Sequence, residues 1–267
     1  MTNSMANTNL ASNKTQEALV SGQFGARAAA YLSSAVHAQG QDLESLADLV
    51  RGRQQARVLD LGCGAGHVSF HVAPHVREVV AYDLSPEMLD VVARAATQRG
   101  LTNIVTQAGA AERLPFADAS FDFVLSRFST HHWRDLDAGL REIARVLKPE
   151  GTAAVVDSVS PGLPLLDTYL QAVEVLRDPS HVRNYARAEW DAAINRAGLM
   201  PIAASQFRLR MQFDVWTERM RTPKVQSDAI RALQKAMSES VARYFEIDAD
   251  GNFNLDIVSI RASRAVL

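Results

Sequence analysis

The stretch RVLDLGCGAGH, residues 57–67, joins a short apolar run to a glycine-rich segment. Its first part, Arg57 to Leu61, predicts a buried β-strand. The glycines at positions 62, 64 and 66 lack a Cβ, so the backbone after the strand can turn tightly and approach a ligand closely. This stretch therefore predicts a strand that leads into a ligand-binding loop.

Four more apolar runs follow, at residues 79–83, 103–106, 121–125 and 153–157. Between them, helices are predicted from about Pro86 to Arg99, with Ser85 as N-cap, and from Leu136 to Leu147. We expect the second helix to stop at the segment KPEG, where Pro149 cannot continue it and Gly151 lets the chain turn. Apolar strands that alternate with amphipathic helices predict an α/β fold, a parallel sheet with helices on both faces.

The flanks of this core have a different character. Residues 1–15 are polar and predict a disordered N-terminus, so residues 16–267 are interpreted as a single domain. The strict alternation breaks at about 158–187, where a helix at 164–176 and a polar stretch predict a helical lid insertion. The remaining predicted elements are helices at 188–197 and about 228–245 and a strand near 257–262.

Composition excludes several classes of protein. Hydrophobic residues make up 47% of the 267 positions and charged residues 22%, so the chain can bury a core. The net charge of −2 and the lack of a basic stripe argue against a nucleic-acid partner. One cysteine excludes a disulfide framework, and no metal site is predicted. With neither a signal-peptide pattern nor an apolar run of about 20 residues, we expect a cytoplasmic protein without a membrane span. No feature predicts an oligomeric state.

The spacing of the glycines bears on the ligand. A dinucleotide fingerprint, G-x-G-x-x-G, that began at Gly62 would place its third glycine at position 67, where this chain has His67. The observed G-x-G-x-G spacing favours S-adenosylmethionine over NAD. Asp83 ends the second strand, 21 positions after Gly62, where a carboxylate can accept both hydroxyls of a ribose. Both ligands carry a ribose, so a nicotinamide-dependent oxidoreductase stays a disfavoured alternative.

Several motifs in this order resemble those of the class I S-adenosylmethionine-dependent methyltransferases. The chain looks most like the type 11 branch, near the ubiquinone/menaquinone C-methyltransferases and the YafE/YcgJ-like group. The motifs are VLDLGCGAGH (58–67), AYDLSPEML (81–89), AERLPFADASFD (111–122), SRFSTHHW (126–133), LREIARVLKPEG (140–151) and RDPSHVRNY (177–185). The resemblance implies a Rossmann-like sheet of seven strands with the last one antiparallel, and a methyltransferase that uses S-adenosylmethionine and releases S-adenosylhomocysteine.

The resemblance also implies a set of residues around the cofactor. Asp60 and the loop Gly62, Cys63, Gly64 and Gly66 would surround the methionine moiety, and Asp83 would hold the ribose. Further cofactor contacts would come from Leu84, Met88, Ala110, Ala111, Glu112 and Arg127. Many relatives have Asp at the position of Ala110, so backbone amides near Ala111 would carry more of the adenine recognition here.

Methyl transfer needs alignment of the two substrates and a group that accepts the acceptor's proton. The catalytic candidates are His131, His132 and His181, because imidazole titrates near neutral pH; each could instead pack or cap a helix. Arg177 and Arg183 would favour an anionic or carbonyl-bearing acceptor, or would tie down the lid through ion pairs. The other substrate candidates are Tyr31, Trp133 and Tyr185.

These observations favour a methyltransferase that acts on carbon or oxygen of a small molecule. The alternative is a protein with the same fold that binds S-adenosylmethionine as a regulatory module without catalysis. A nitrogen or sulfur acceptor stays open, as does the identity of the acceptor.

Overall fold

The structure, a computed structural model, describes residues 15–25 and 40–264. The predicted disordered N-terminus, apart from Thr15, lies outside the described residues. The substrate candidate Tyr31 also lies outside them.

A seven-stranded sheet forms the centre of the fold, in the order β3-β2-β1-β4-β5-β7-β6. Its strands are β1 Arg57–Leu61, β2 Glu78–Asp83, β3 Ile104–Ala108, β4 Phe121–Arg127, β5 Leu147–Ser158, β6 Leu199–Met211 and β7 Phe253–Arg264. Strands β1 to β5 pair in parallel, and β7 is antiparallel to both β5 and β6. This confirms the α/β fold and its antiparallel last strand.

Ten described α-helices connect and cover the strands. They are α1 Gln16–Gly25, α2 Gln41–Val50, α3 His67–Val72, α4 Pro86–Gln98, α5 Leu136–Val146, α6 Pro164–Arg177, α7 Arg187–Arg196, α8 Phe213–Arg219, α9 Lys224–Ala236 and α10 Glu239–Phe245. Ser85 caps α4 as predicted, because its Oγ accepts a hydrogen bond from the amide of Met88 at 3.2 Å. None of these helices is long and apolar enough to cross a membrane, a finding that covers the described residues only.

The core lies on both faces of the sheet. Neighbouring residues of β1 show this, since Val58 belongs to the apolar cluster with α2, α6 and α8 to α10, whereas Leu59 belongs to the cluster with α5 and α7. Successive side chains of a strand point to opposite faces, so a continuous apolar run indicates a strand covered on both sides. The five apolar runs therefore located β1 to β5, although β3, at the edge of the sheet, is only partly buried.

Three local predictions differ from the structure. Strand β6 was not recognised, because most of its residues are exposed and no apolar run marks it. The helix expected at about 228–245 is two helices, separated at Met237 and Ser238. The segment KPEG, expected as a turn, lies within β5. A side chain does not fit at Gly151, because a Cβ there would stand 2.7 Å from the Leu147 side chain and 3.0 Å from the Asp122 carbonyl oxygen.

The predicted lid contains α6 and the loop that joins it to α7. Helix α6 packs against α9 and α10, and the loop contacts α1, where Gln16 Nε2 donates to the Ser180 carbonyl oxygen at 2.7 Å. That this region acts as a lid stays a prediction.

Candidate functional site

A cleft of about 1060 Å³ opens beyond the carboxyl ends of β1, β2 and β4. The loop after β1 forms its floor, and α1 contributes Gln16, Glu17, Val20 and Phe24 to its wall. Parallel α/β sheets bind ligands at this edge. We call this cavity the glycine-loop cleft.

The three loop glycines meet different requirements. All have positive φ, 71° at Gly62, 50° at Gly64 and 87° at Gly66, which a residue with a side chain adopts at a cost. A Cβ at Gly62 would lie 1.8 Å from Ser129 Oγ, and one at Gly66 would lie 2.9 Å from the Phe70 ring. A Cβ at Gly64 would meet no described atom within 4 Å. Gly62 and Gly66 are therefore required by packing, whereas Gly64 borders open space in the cleft.

Asp60 lies at the end of β1 and is 1% exposed. Its Oδ2 accepts hydrogen bonds from the Ser69 amide at 2.9 Å and from Ser69 Oγ at 2.6 Å. Burial raises the pKa of Asp60 to about 7, although the Ser69 hydrogen bonds act in the opposite direction. A cationic group that entered the cleft would stabilise the ionised carboxylate.

Asp83 ends β2 and holds the loop in place. Its Oδ2 accepts from the Gly64 amide at 2.8 Å, and its Oδ1 accepts from the Ser85 amide at 2.9 Å. Burial raises the pKa of this carboxyl group, and the backbone hydrogen bonds partly offset the rise. Each carboxylate oxygen can accept a further hydrogen bond from a ligand hydroxyl.

The other predicted cofactor residues lie at the same edge, with one exception. Cys63, Leu84, Met88, Ala111 and Glu112 all line the cleft. Burial raises the pKa of the Cys63 thiol well above its usual range, so it stays a neutral small side chain.

Ala110 is the exception, because it, like Gly66 of the loop, is absent from the lining of the cleft. Its carbonyl oxygen accepts a hydrogen bond of 3.3 Å from Tyr82 Oη. Glu112 lines the cleft but also holds the loop before α5, since its Oε1 accepts from the amide of Arg134 at 2.8 Å.

Arg127 is the last residue of β4 and lines the cleft. Its Nε donates to Asp42 Oδ2 at 2.5 Å, and both side chains are nearly buried, at 5% and 6% exposure. This pair fastens the start of α2 to the end of β4. The sequence analysis did not identify Asp42, since a residue 85 positions from its partner leaves no local pattern.

His131 is held by a buried carboxylate at the end of β5. Its Nδ1 lies 2.5 Å from Asp157 Oδ1, and Asp157 Oδ2 accepts from the amide and the hydroxyl of Thr130. Burial lowers the pKa of His131, but the adjacent Asp157 outweighs it, so the net shift is upward. Burial likewise opposes ionisation of Asp157, yet His131 and the hydrogen bonds keep its pKa at about 2.

His132 is adjacent in the chain but lies in a different environment. Its Nδ1 is 3.2 Å from the Ser180 carbonyl oxygen, an acceptor, so Nδ1 carries the proton. Burial and the nearby His131 lower the pKa of His132 to about 4. His132 is therefore neutral at pH 7, and its ring stacks edge-on against Phe24 with 4.9 Å between centroids.

His181 contacts α6, the helix of the predicted lid, and does not line the glycine-loop cleft. Its Nε2 lies 3.0 Å from Gln171 Oε1, so Nε2 carries the proton, and its buried Nδ1 has no partner among the described residues. Burial, with the charge of His131, lowers the pKa of His181 to about 2. Its ring centroid is 5.8 Å from that of His131.

A second cavity of about 640 Å³ adjoins the glycine-loop cleft. Three residues line both cavities, Phe24, Phe128 and His132, and we call them the neck. Phe128 has φ 51°, an unfavourable conformation for a bulky residue, and its amide donates to the Val156 carbonyl oxygen at 2.8 Å. His131 lines the second cavity only.

The predicted substrate residues separate into two groups. Trp133 lines the glycine-loop cleft, and Arg177 lines the second cavity. Arg183 and Tyr185 lie outside both cavities; Arg183 forms ion pairs with Asp167 at 3.3 Å and with Glu189 at 3.1 Å. Arg183 therefore has the alternative role considered from the sequence, that of tying down the lid.

Three residues that support the site, Asp42, Ser69 and Asp157, were not identified from the sequence. Phe128 lies within the motif SRFSTHHW, but nothing in the motif indicated its positive φ. A strand that ends in an acidic residue is the signal shared by Asp83 and the run at 153–157, and it could have located Asp157. No group of three or more potential metal-ligating side chains occurs within residues 15–25 and 40–264.

Comparison with known proteins gives a consistent result. The family described as "Methyltransferase domain" matches residues 59–155. YafE of Escherichia coli K12 is 50% identical over 204 residues, which cover 76% of this chain and 99% of YafE. YcgJ of Bacillus subtilis is 38% identical over 75% of this chain and 79% of its own length.

The crystal structure of YcgJ has a TM-score of 0.80 and covers 85% of this chain and 99% of its own. A demethylmenaquinone methyltransferase of Chlorobaculum parvum is 37% identical over a shorter region, 44% of this chain and 47% of that protein.

Proposed function

This chain belongs to the class I S-adenosylmethionine-dependent methyltransferases, and on that premise we propose that it methylates carbon or oxygen of a small, partly apolar acceptor. The observation that supports the proposal is the pair of adjacent cavities. One is lined by the glycine loop with Asp60 and Asp83, the other by His131, and the three neck residues line both. A cytoplasmic location and the absence of a nucleic-acid partner remain predictions.

The residues of the glycine-loop cleft suit the chemical groups of S-adenosylmethionine. Asp60 is a buried carboxylate that an ammonium group would stabilise, and Asp83 has spare acceptor capacity for two ribose hydroxyls. Met88 is 1% exposed and, with Leu84, provides an apolar surface for the adenine. Gly64 leaves the space beside the loop open.

When bound, S-adenosylmethionine supplies a methyl group on a sulfonium, which leaves as a neutral thioether. The chain itself then has to exclude water, align the acceptor and take its proton. We assign the last role to His131, because Asp157 holds its Nδ1 and thereby leaves Nε2 for the acceptor. As the new bond to carbon or oxygen forms and the sulfur–methyl bond breaks, the acceptor's proton passes to this nitrogen.

His132 and His181 are better suited to shape the site than to exchange protons. Both have a lowered pKa and donate a hydrogen bond to a fixed oxygen, of Ser180 and of Gln171 respectively. We propose His132 as part of the neck, where its neutral ring would lie beside the sulfonium.

Isothermal titration calorimetry with S-adenosylmethionine and S-adenosylhomocysteine tests the cofactor site. We expect binding to the wild type and a loss of about 1–3 kcal/mol in Asp83→Ala. Asp118→Ala, which removes an exposed carboxylate that does not line the cleft, serves as the control and should bind like the wild type. A folded wild type that binds neither ligand would contradict the proposal.

Turnover then separates an enzyme from a binding module. Formation of S-adenosylhomocysteine with phenolic or enolic acceptors is expected in the wild type and should fall strongly in His131→Gln. If the protein binds the cofactor but methylates none of these acceptors, the alternative of a binding module is favoured.

A further inference from the structure

The second cavity has an apolar wall and several charged groups. Its wall consists of Phe24, Phe128, Leu209, Met211, Trp216, Met220 and Leu255. Its charged lining residues are His131, Glu174, Arg177, Asp178 and Arg219. Such a cavity suits a molecule whose body is apolar and whose few polar atoms have assigned partners.

Arg177 is the cation of α6 that faces this cavity. Its side chain is 12% exposed, its Nε donates to the Trp216 carbonyl oxygen at 3.0 Å, and its Nη1 lies 3.3 Å from Glu174 Oε2. The guanidinium carbon is 4.8 Å from the centroid of the Trp216 ring. These contacts hold the guanidinium in one orientation, while Nη2 donates to no described residue.

The charges around Arg177 discriminate between possible partners of Nη2. Two carboxylates, of Glu174 and Asp178, and a second guanidinium, that of Arg219, line the same cavity. At Arg177 itself the neighbours are acidic, because Glu174 Oε2 is 3.3 Å from its Nη1 and Asp178 is the next residue in the chain. A ligand carboxylate at Nη2 would therefore lie close to like charge. An uncharged carbonyl oxygen can accept a hydrogen bond from the guanidinium without that repulsion.

The walls favour a flat body for the same ligand. The aromatic rings of Phe24, Phe128 and Trp216 contribute three of the surfaces, and aromatic rings pack well against one another. His131 lies in the same cavity, where an acidic hydroxyl could give up its proton.

We propose that the second cavity binds the methyl acceptor, and that Arg177 selects acceptors in which a hydroxylated ring carries an uncharged carbonyl group. This inference rests on the proposed function and extends it from the reaction to the substrate class. Arg177 is a specificity-determining residue in this account, and Arg183, the other arginine of the predicted lid, has no part in it.

The probes are three naphthols that carry an acetyl group, an ethyl group or a carboxylate at the same position of the second ring. Their affinities are measured by calorimetry with S-adenosylhomocysteine present. In the wild type, the acetyl compound should bind about tenfold more tightly than the ethyl compound, as expected for one hydrogen bond to a charged donor. The carboxylate should bind no more tightly than the acetyl compound.

Two matched variants test the assignment to Arg177. We expect Arg177→Gln to reduce the tenfold preference to about twofold or less, and Arg183→Gln to leave it unchanged. The inference is overturned if Arg177→Gln keeps the preference, if Arg183→Gln loses it, or if the carboxylate binds most tightly in the wild type.

Removing Arg177 alone leaves the buried Glu174 without its cation, which is destabilising. The double variant Glu174→Gln/Arg177→Gln removes both charges, so neither is left buried without its partner, and it provides the same test if the single variant fails to fold. Its preference for the acetyl compound should also be about twofold or less.

Fluorescence locates the bound probe. The chain has three tryptophans, and only Trp216 lines the second cavity. In a Trp133→Phe/Trp190→Phe background we expect the acetyl compound to quench the fluorescence of Trp216. Binding without quenching would place the probe elsewhere and overturn the inference.

The two proposals can fail separately. If S-adenosylhomocysteine binds but none of the three naphthols does, the assignment of a ring acceptor to the second cavity is wrong and the cofactor site stands. If S-adenosylhomocysteine does not bind either, the proposed function fails first.

Discussion

The imidazole Nδ1 of His131 and the carboxylate Oδ1 of Asp157 are 2.5 Å apart, although 26 positions separate the two residues in the chain. His131 follows β4 and Asp157 lies near the end of β5, and the parallel pairing of these strands brings the residues together. Asp157 is fixed in turn by the Ser158 amide, which donates to its Oδ1 at 2.7 Å. The carboxylate thus orients the imidazole and makes it more basic.

Asp157→Asn should shift the pH dependence of methyl transfer. Because Asp157 raises the pKa of His131, its neutralisation lowers that pKa. If His131 accepts the proton, activity increases with pH as His131 loses its own proton, so the rising limb of kcat/KM should move to lower pH in the variant. The maximal rate should fall by about 10²–10⁴-fold as the base loses its orientation.

A pH–rate profile of wild type and variant provides the measurement. His181→Gln is the control, because that imidazole lies outside both cavities and should leave the position of the limb unchanged. If the rising limb of kcat/KM stays at the same pH in Asp157→Asn, His131 is not the base.

Affinity for S-adenosylmethionine should increase with pH because of Asp60. The pKa of this carboxyl group is raised to about 7 in the free protein, so it is largely protonated at pH 6 and can bind an ammonium group only after it ionises. From about pH 6 to about pH 7.5 we expect roughly an eightfold fall in Kd, since proton release and cofactor binding are linked.

Two variants at this carboxylate separate its effect from other titrations. Asp60→Asn should bind S-adenosylmethionine weakly, and its affinity should not increase with pH. Ser69→Ala removes the hydroxyl that helps to ionise Asp60, so the increase in affinity should move to higher pH. Calorimetry at a series of pH values measures all three proteins; an unchanged trend in Asp60→Asn would assign it to another group.

Gly62→Ala should mainly lower the stability of the protein, whereas Gly64→Ala should mainly weaken ligand binding. Both replace a glycine with positive φ, which costs about 1–2 kcal/mol in either case. Gly62→Ala also forces a Cβ to within 1.8 Å of Ser129 Oγ, so it should unfold at a clearly lower urea concentration. Gly64→Ala should fold but bind S-adenosylhomocysteine poorly, because its methyl group projects into open space in the cleft.

Urea denaturation and calorimetry distinguish the two outcomes. Adding Ser129→Gly to Gly62→Ala removes the clashing side chain and should restore part of the lost stability. If the two single variants lose equal stability, strain in φ rather than the contact with Ser129 explains the requirement for Gly62.

Asp42→Asn should be far more destabilising than the same substitution at Asp48 on the same helix. The pair of Asp42 with Arg127 is nearly buried, and removal of one partner leaves a buried charge, at a cost of about 3–5 kcal/mol. The pair of Asp48 with Arg51 is exposed and contributes at most about 1 kcal/mol. Free energies of unfolding from urea titrations measure both, and equal losses would contradict this account.

Much of the fold was predictable from local patterns. Strands covered on both faces consist of apolar residues throughout, and a helix that starts with Ser85 and a proline carries its own start signal. Strand β6 had neither signal: its exposed residues, including Met200 and Ile202, are held by pairing with β7, a segment about 50 positions away.

Some residues of the candidate site were likewise predictable from local patterns, and others were not. The glycine loop and Asp83 were identified from spacing alone, because the loop and the end of the next strand must meet in any fold of this class. Arg177 and Arg183 could not be told apart, since both lie in one short polar stretch. Only the packing of α6 against α8 shows that Arg177 faces the second cavity.

The sequence by itself therefore determined the fold class, the family and the loop that faces the cofactor, because these depend on residues a few positions apart. Tertiary structure alone decided which histidine is paired with a carboxylate, which of the two lid arginines lines the second cavity, and which residues line both cavities. Those properties depend on contacts between distant segments, and in a single sequence such contacts leave no periodic or spaced pattern.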